Sequence, residues 1–118
     1  MNVRRGDVLL ADYSHALTGS SLRPVLVVQS DAYNQRLTNT VVAQITRTLK
    51  RGSDPAHLFI DISTPDGRQA GLLHDSVVSC CNLNTVNEQR IHRVIGRLPP
   101  HLMLRIDACL QSAFGLEK

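Results

Sequence analysis

The chain has 118 residues, long enough for one domain with a modest core. Hydrophobic residues make up 42% and charged residues 19%, which excludes an extended disordered chain. A formal charge of +3 permits a polyanionic partner, while 3% aromatics and no Trp exclude a binding surface built on stacked bases.

Met1 to Asp7 is charged and has no apolar core of the kind a secretory signal needs. No apolar run approaches the length of a membrane span. Three cysteines, Cys80, Cys81 and Cys109, match no disulfide, zinc or redox spacing, so a reducing cytoplasm is the expected compartment.

Val8 to Ala11 reads as a first strand buried on both faces. A loop from Tyr13 to Leu22 follows, with His15, Gly19, Ser20 and Ser21. Pro24 to Gln29 is a second strand, Asp31 to Leu37 a helical turn capped by Ser30 or Asp31, and Thr40 to Thr46 a third strand. In His57 to Ile62, Leu58, Ile60 and Ile62 face one way, and His57, Phe59 and Asp61 the other. Asp66-Gly67 reads as a turn, Ser76 to Cys81 as a strand, Val86 to Arg90 as a brief helical turn, and Ile91 to Leu98 as a last strand. From Pro100, the spacing of Leu102, Ile106, Leu110 and Ala113 predicts an amphipathic helix that Gly115 ends. Many short strands and one terminal helix point to a small barrel or sandwich, a single domain over 1–118.

Two strands bracket one polar loop between Thr18 and Thr46, and Arg23 stands where the second strand begins. A guanidinium forks five donors towards phosphate or carboxylate. Pro24 holds Arg23 extended. Such an arginine reads either as an oxyanion binder or as a strand-edge cation paired with a surface carboxylate. The five histidines are scattered and give no metal constellation; each alone reads as structural. His57, opposite the core face, is the one placed to reach a surface groove as a proton carrier.

Arg4-Arg5-Gly6-Asp7-Val8, Gly19-Ser20 and Arg23-Pro24-Val25-Leu26-Val27 together resemble the opening of the MazF/PemK toxins. The likeness runs on through Val41-Val42-Ala43-Gln44-Ile45-Thr46, Asp75-Ser76-Val77, Thr85-Val86, Arg90-Ile91 and Ile95-Gly96-Arg97-Leu98. The resemblance implies a small SH3-like β-barrel, shared with the CcdB toxins, and a homodimer. It implies a metal-independent, cofactor-free endoribonuclease acting on single-stranded RNA, with an antitoxin whose acidic C-terminal tail covers the RNA groove. The family's catalytic pair falls on Arg23 and Thr46, its base-contacting side chain on Asn82, and a substrate-contacting serine on Ser20. Ser21, Asn34 and Gln44, polar residues of the same stretch, complete the expected RNA contacts.

Two departures stand out. Ser21 occupies the place of an acidic residue, which leaves proton transfer to another group such as His15 or His57, and Asn84 replaces a basic residue. Other readings are a catalytically weak RNA-binding relative and a gyrase inhibitor of the CcdB kind. The latter needs an exposed aromatic at the chain end, where Phe114 is expected to pack inward.

Overall fold

Among the described residues six strands form one antiparallel sheet: β1 (Asp7–Asp12), β2 (Leu22–Val27), β3 (Asn39–Thr46), β4 (His57–Ile60), β5 (Ser76–Asn87) and β6 (Ile91–Arg97). Their order across the sheet is β4-β5-β3-β2-β1-β6. Among the described residues the α-helices are α1 (Asp31–Arg36), α2 (Pro65–Gln69) and, after the last strand, α3 (Pro100–Phe114), with a short 3-10 turn at Glu88–Arg90. The computed structural model describes residues 1–12, 22–48 and 53–116.

The apolar runs expected to be buried on both faces are so because the sheet carries a core on each side. Along β1 and β2, Val8 and Leu26 join the core under α3, while Leu9, Ala11, Val25 and Val27 join a second core with Val3, Val42 and Val86. Side chains alternate across a strand, so a continuous apolar run needs such a two-sided environment. Helix α3 inserts Leu102, Met103, Ile106 and Cys109 into the first core, each full burial worth about 1.5–3 kcal/mol. Gly115 ends α3 in the left-handed conformation at φ 67°, as its place after the last apolar turn predicts.

The expected barrel has one open seam, since β4 and β6 are not hydrogen-bonded to each other. The segment leaving α2 lies against β6 instead. A Cβ on Gly96 would come within 2.4 Å of the Ala70 carbonyl, and one on Gly71 within 2.0 Å of the Ile95 oxygen. Two glycines thus let two backbones touch where the sheet does not close.

The Arg4–Asp7 segment anchors the fold rather than a ligand. Asp7 Oδ2 accepts from the Arg4 backbone N–H at 2.8 Å, and Arg5 donates to the Val28 carbonyl at 2.8 Å and pairs with Asp107 of α3 at 2.6 Å.

Several elements differ from expectation. Asp66-Gly67 lies within α2, because Thr64 accepts from the Gly67 N–H at 3.0 Å and Pro65 opens the helix. Strand β4 stops at Ile60, where Asp61 turns the chain by accepting from the Ser63 N–H and hydroxyl. Strand β5 runs on to Asn87: its pairing with β3 jumps from Gln44↔Ser79 to Ala43↔Leu83, so Cys80 to Asn82 bow out and the strand resumes. Phe114 is 60% exposed rather than packed inward.

Candidate active site

A groove of about 690 Å³ opens where the ends of β2 and β3 meet the Gly71–His74 segment and β6. Strand pairing builds it. Strands β2 and β3 pair as Val25↔Gln44 and Leu26↔Ala43, and the same register continued by two residues faces Arg23 with Thr46. Both side chains line the groove, as does Gln44. Opposed residues of an antiparallel pair point to the same side of the sheet, so the two expected catalytic residues share one wall.

Arg23 is exposed and has no hydrogen-bond or ion-pair partner among the described residues. Its five donors therefore remain available to a ligand, which favours the oxyanion-binding alternative over a surface ion pair. Thr46 Oγ1 accepts from the Thr48 N–H at 3.2 Å, which leaves its own proton to donate. Arg47, Thr48, Arg93, His74 and Ser76 add to the polar lining, and Leu22, Leu72, Leu73 and Ile95 to the apolar lining. Among the described residues the lining holds three arginines and no carboxylate, the electrostatics of an anion site.

Two expected RNA contacts are placed elsewhere. Asn34 is completely buried: its side chain donates to the Gln29 carbonyl at 3.0 Å and accepts from Gln29 at 2.9 Å and Thr40 at 2.7 Å. A fully occupied, buried amide ties α1 to β3 and reaches no RNA. Asn82 is exposed but stands outside the groove lining, where its amide donates to Ser79 Oγ at 2.8 Å. Ser20, Ser21 and His15 lie outside the described residues.

His57 is also corrected. It is buried, with Nε2 at 2.9 Å from Ser79 Oγ and Nδ1 at 3.3 Å from Asp54 Oδ1, the latter without hydrogen-bond alignment. The alternation in β4 holds, but the β5 bulge and the Asp54 turn cover the end of the face that carries His57. The Asp54–His57–Ser79 order has the form of a hydrolytic triad. Ser79 is only 2% exposed, so no substrate reaches its hydroxyl, and the cluster braces the bulge.

His74 and Arg93 were not singled out from the sequence. The only local signal for Arg93 is its place in β6, where it pairs with Leu10 at the groove edge. For His74 the signal is adjacency to the Asp75-Ser76-Val77 segment of the resemblance. Among the described residues no group of three or more His, Cys, Asp or Glu side chains is arranged to hold a metal ion.

A family model described as "PemK-like, MazF-like toxin of type II toxin-antitoxin system" matches residues 4–114. The chain belongs to this family. It is 33% identical to the endoribonuclease EndoA of Bacillus subtilis (strain 168), over 98% of this chain and 97% of that one. It is 31% identical to the endoribonuclease MazF of Staphylococcus epidermidis, over 97% and 92%. Among solved structures, the Mycobacterium tuberculosis toxin MazF-mt6 superposes with a TM-score of 0.77 at 27% identity, covering 95% of this chain and 99% of that one. A mycobacterial endoribonuclease in complex with its cognate antitoxin has the same fold, with a TM-score of 0.80 at 23% identity and 98% of each chain covered.

In a member of this toxin family, the exposed Phe114 does not by itself revive a gyrase-directed role. It removes the inward packing that argued against one.

Proposed function

We infer that this PemK/MazF-type toxin, an endoribonuclease of a type II toxin–antitoxin system, cleaves single-stranded RNA through the substrate's own 2′-hydroxyl. The O2′–P bond forms, the P–O5′ bond breaks, and a 2′,3′-cyclic phosphate and a 5′-hydroxyl result. Only RNA carries that nucleophile, which accounts for the substrate class. Arg23 places two donors on the non-bridging phosphate oxygens as charge builds there, and Thr46 adds a third. Both are fixed on strand ends, so little reorganisation accompanies the reaction. The guanidinium does the work that a metal ion does in other nucleases, and the mechanism calls for no metal or cofactor.

Arg47 and Arg93 line the same groove and suit the phosphates flanking the scissile one, while Gln44 offers an amide to a base edge. Ser20 and Ser21, which shortly precede Arg23 in the sequence, and Asn82, beyond the groove, complete the assigned RNA contacts. The anion-binding groove equally suits an acidic antitoxin tail, which would inhibit by occupying it. A homodimer in the cytoplasm completes the proposal, and among the described residues no helix is long and apolar enough to cross a membrane.

The observation that carries this reading is the shared wall of Arg23 and Thr46 in a groove whose described lining holds no carboxylate. The experiment is cleavage of a long single-stranded RNA by the purified protein in EDTA, with the product ends mapped. Cyclic phosphate ends are expected. Loss of cleavage in EDTA overturns the metal-free mechanism, and undiminished cleavage by Arg23→Ala removes Arg23 from it.

A further inference from the structure

We propose that His74 is a catalytic residue, the general base that takes the proton from the attacking 2′-hydroxyl. The inference rests on the ribonuclease reading above and assigns the general base, a role left open there. Attack by a 2′-hydroxyl needs a group that accepts a proton near neutral pH, and such a group contributes typically about 10²- to 10⁴-fold. Arginine does not lose its proton in a protein, and threonine and glutamine do not accept one. Of the described residues lining the groove, His74 alone carries a side chain of the kind that serves as a general base.

Position agrees with the role. His74 is exposed in the short segment between α2 and β5, and its backbone carbonyl accepts from the buried Ser76 hydroxyl at 2.8 Å, which fixes the turn. It lines the main groove together with Arg23 and Thr46, and it also lines a smaller depression with Asp61, Ile62, Ser63, Leu73 and Asp75. His74 thus borders both a basic groove and an acidic hollow.

The charged groups around it are Arg23, Arg47 and Arg93 in the groove and Asp61 and Asp75 in the hollow. Asp75 Oδ1 accepts from the Ile62 N–H at 2.9 Å. Hydrogen bonds from the Ser63 side chain and then its backbone hold the Asp61 carboxyl below the usual carboxylate range, so it stays ionised through any neutral assay. The proton is therefore taken up beside fixed negative charge, while the arginines hold the phosphate. In the step itself, neutral His74 accepts the 2′-proton as O2′ bonds to phosphorus. The P–O5′ pair leaves with O5′, which takes a proton from water.

The test measures single-turnover cleavage of one mapped RNA site from about pH 5 to 8 by wild type, His74→Gln, His74→Ala and Arg23→Ala. The expected result is a loss of about 10²-fold or more in kcat for both His74 variants, with RNA binding retained and the rise of rate with pH abolished. Added imidazole restores part of the His74→Ala rate, which no structural role would allow. A substrate with sulfur in place of the scissile 5′-oxygen leaves without an acid, so the His74 variants remain slow on it if His74 is the base. Wild-type rates and pH dependence in both variants overturn the proposal while the ribonuclease reading stands. Full activity of His74→Ala on the 5′-thio substrate overturns the base assignment. A wild-type protein that cleaves no RNA overturns both readings.

Discussion

The cation at residue 23 and the alcohol at residue 46 work by what they are not bonded to. Arg23 has no partner among the described residues, and Thr46 keeps its proton for donation. Arg23→Ala is expected to lower kcat by about 10²- to 10³-fold, the usual cost of losing a donor to developing charge. Arg23→Lys should recover little, because a point charge does not reproduce the fork; single-turnover rates on one RNA site check both. Asn34 is the opposite case, a polar side chain wholly consumed by the fold. Asn34→Ala leaves the Thr40 hydroxyl without its acceptor and the Gln29 carbonyl without its side-chain donor, and should cost about 1–3 kcal/mol in urea unfolding, with no selective effect on RNA affinity. The cysteines divide the same way. Burial pushes the Cys80 thiol up to about 12, with the nearby Cys109 adding to the rise, and burial also raises Cys109, whereas Cys81 is exposed. A thiol reagent on the native protein should therefore label Cys81 first. The raised Cys80 value means its contribution to stability is complete below pH 9.0, the thiol's reference value, and is lost as pH rises through about 12. Denaturation midpoints measured from about pH 8 to 11 should fall over that span, and a Cys80→Ser variant should show less of the fall.

At the scale of elements, the site depends on two devices that hold strand ends in place. The first is the β2–β3 register, which sets Arg23 across from Thr46. A slip of β2 by one residue would turn Arg23 to the face opposite Thr46, and the two apolar cores prevent it because each face of β2 is committed. The second is the contact of the α2 exit with β6, where Gly71 at φ 74° and Gly96 allow backbones to meet. That contact carries one groove wall, since Gly71, Leu72, Leu73, His74, Arg93 and Ile95 all line the cavity. Gly96→Ala brings a methyl into the Ala70 carbonyl and should destabilise the protein by more than about 1 kcal/mol, with a fall in activity larger than the loss of folded protein explains. Gly115→Ala meets open space and costs only the strain of its left-handed backbone, about 1 kcal/mol, so it serves as the contrast in the same melting experiment.

For the molecule as a whole, a formal charge of +3 is small, yet three arginines converge on one groove. Field strength at the site follows from that clustering more than from net charge. RNA affinity should fall as salt rises, with a log–log slope of about −0.7 per phosphate neutralised on a single strand. Arg93→Gln should reduce that slope by about one phosphate's worth without shifting the cleaved sequence, as measured by binding titrations with an inactive Arg23→Ala background. An acidic tail from an antitoxin would compete for the same arginines, so its affinity should show a parallel salt dependence.

Local chemistry alone made much of this protein legible. Apolar runs at Val8–Ala11 and Val25–Val28 and the Pro100 start and Gly115 stop of α3 are set by propensity, periodicity and backbone constraint within a few residues of each position, whereas Arg23 and Thr46 stood out as a pair only through the family resemblance of the ordered motifs around them. The roles of the polar residues were decided only by tertiary structure. Asn34 and His57 look like surface groups in the sequence and are buried; His74 looks incidental and stands in the groove. A polar side chain's function depends on what faces it across a strand or a seam, and that partner lies far away along the chain. Thr46 waits on the pairing of two strands, and His74 on the meeting of a helix exit with the last one.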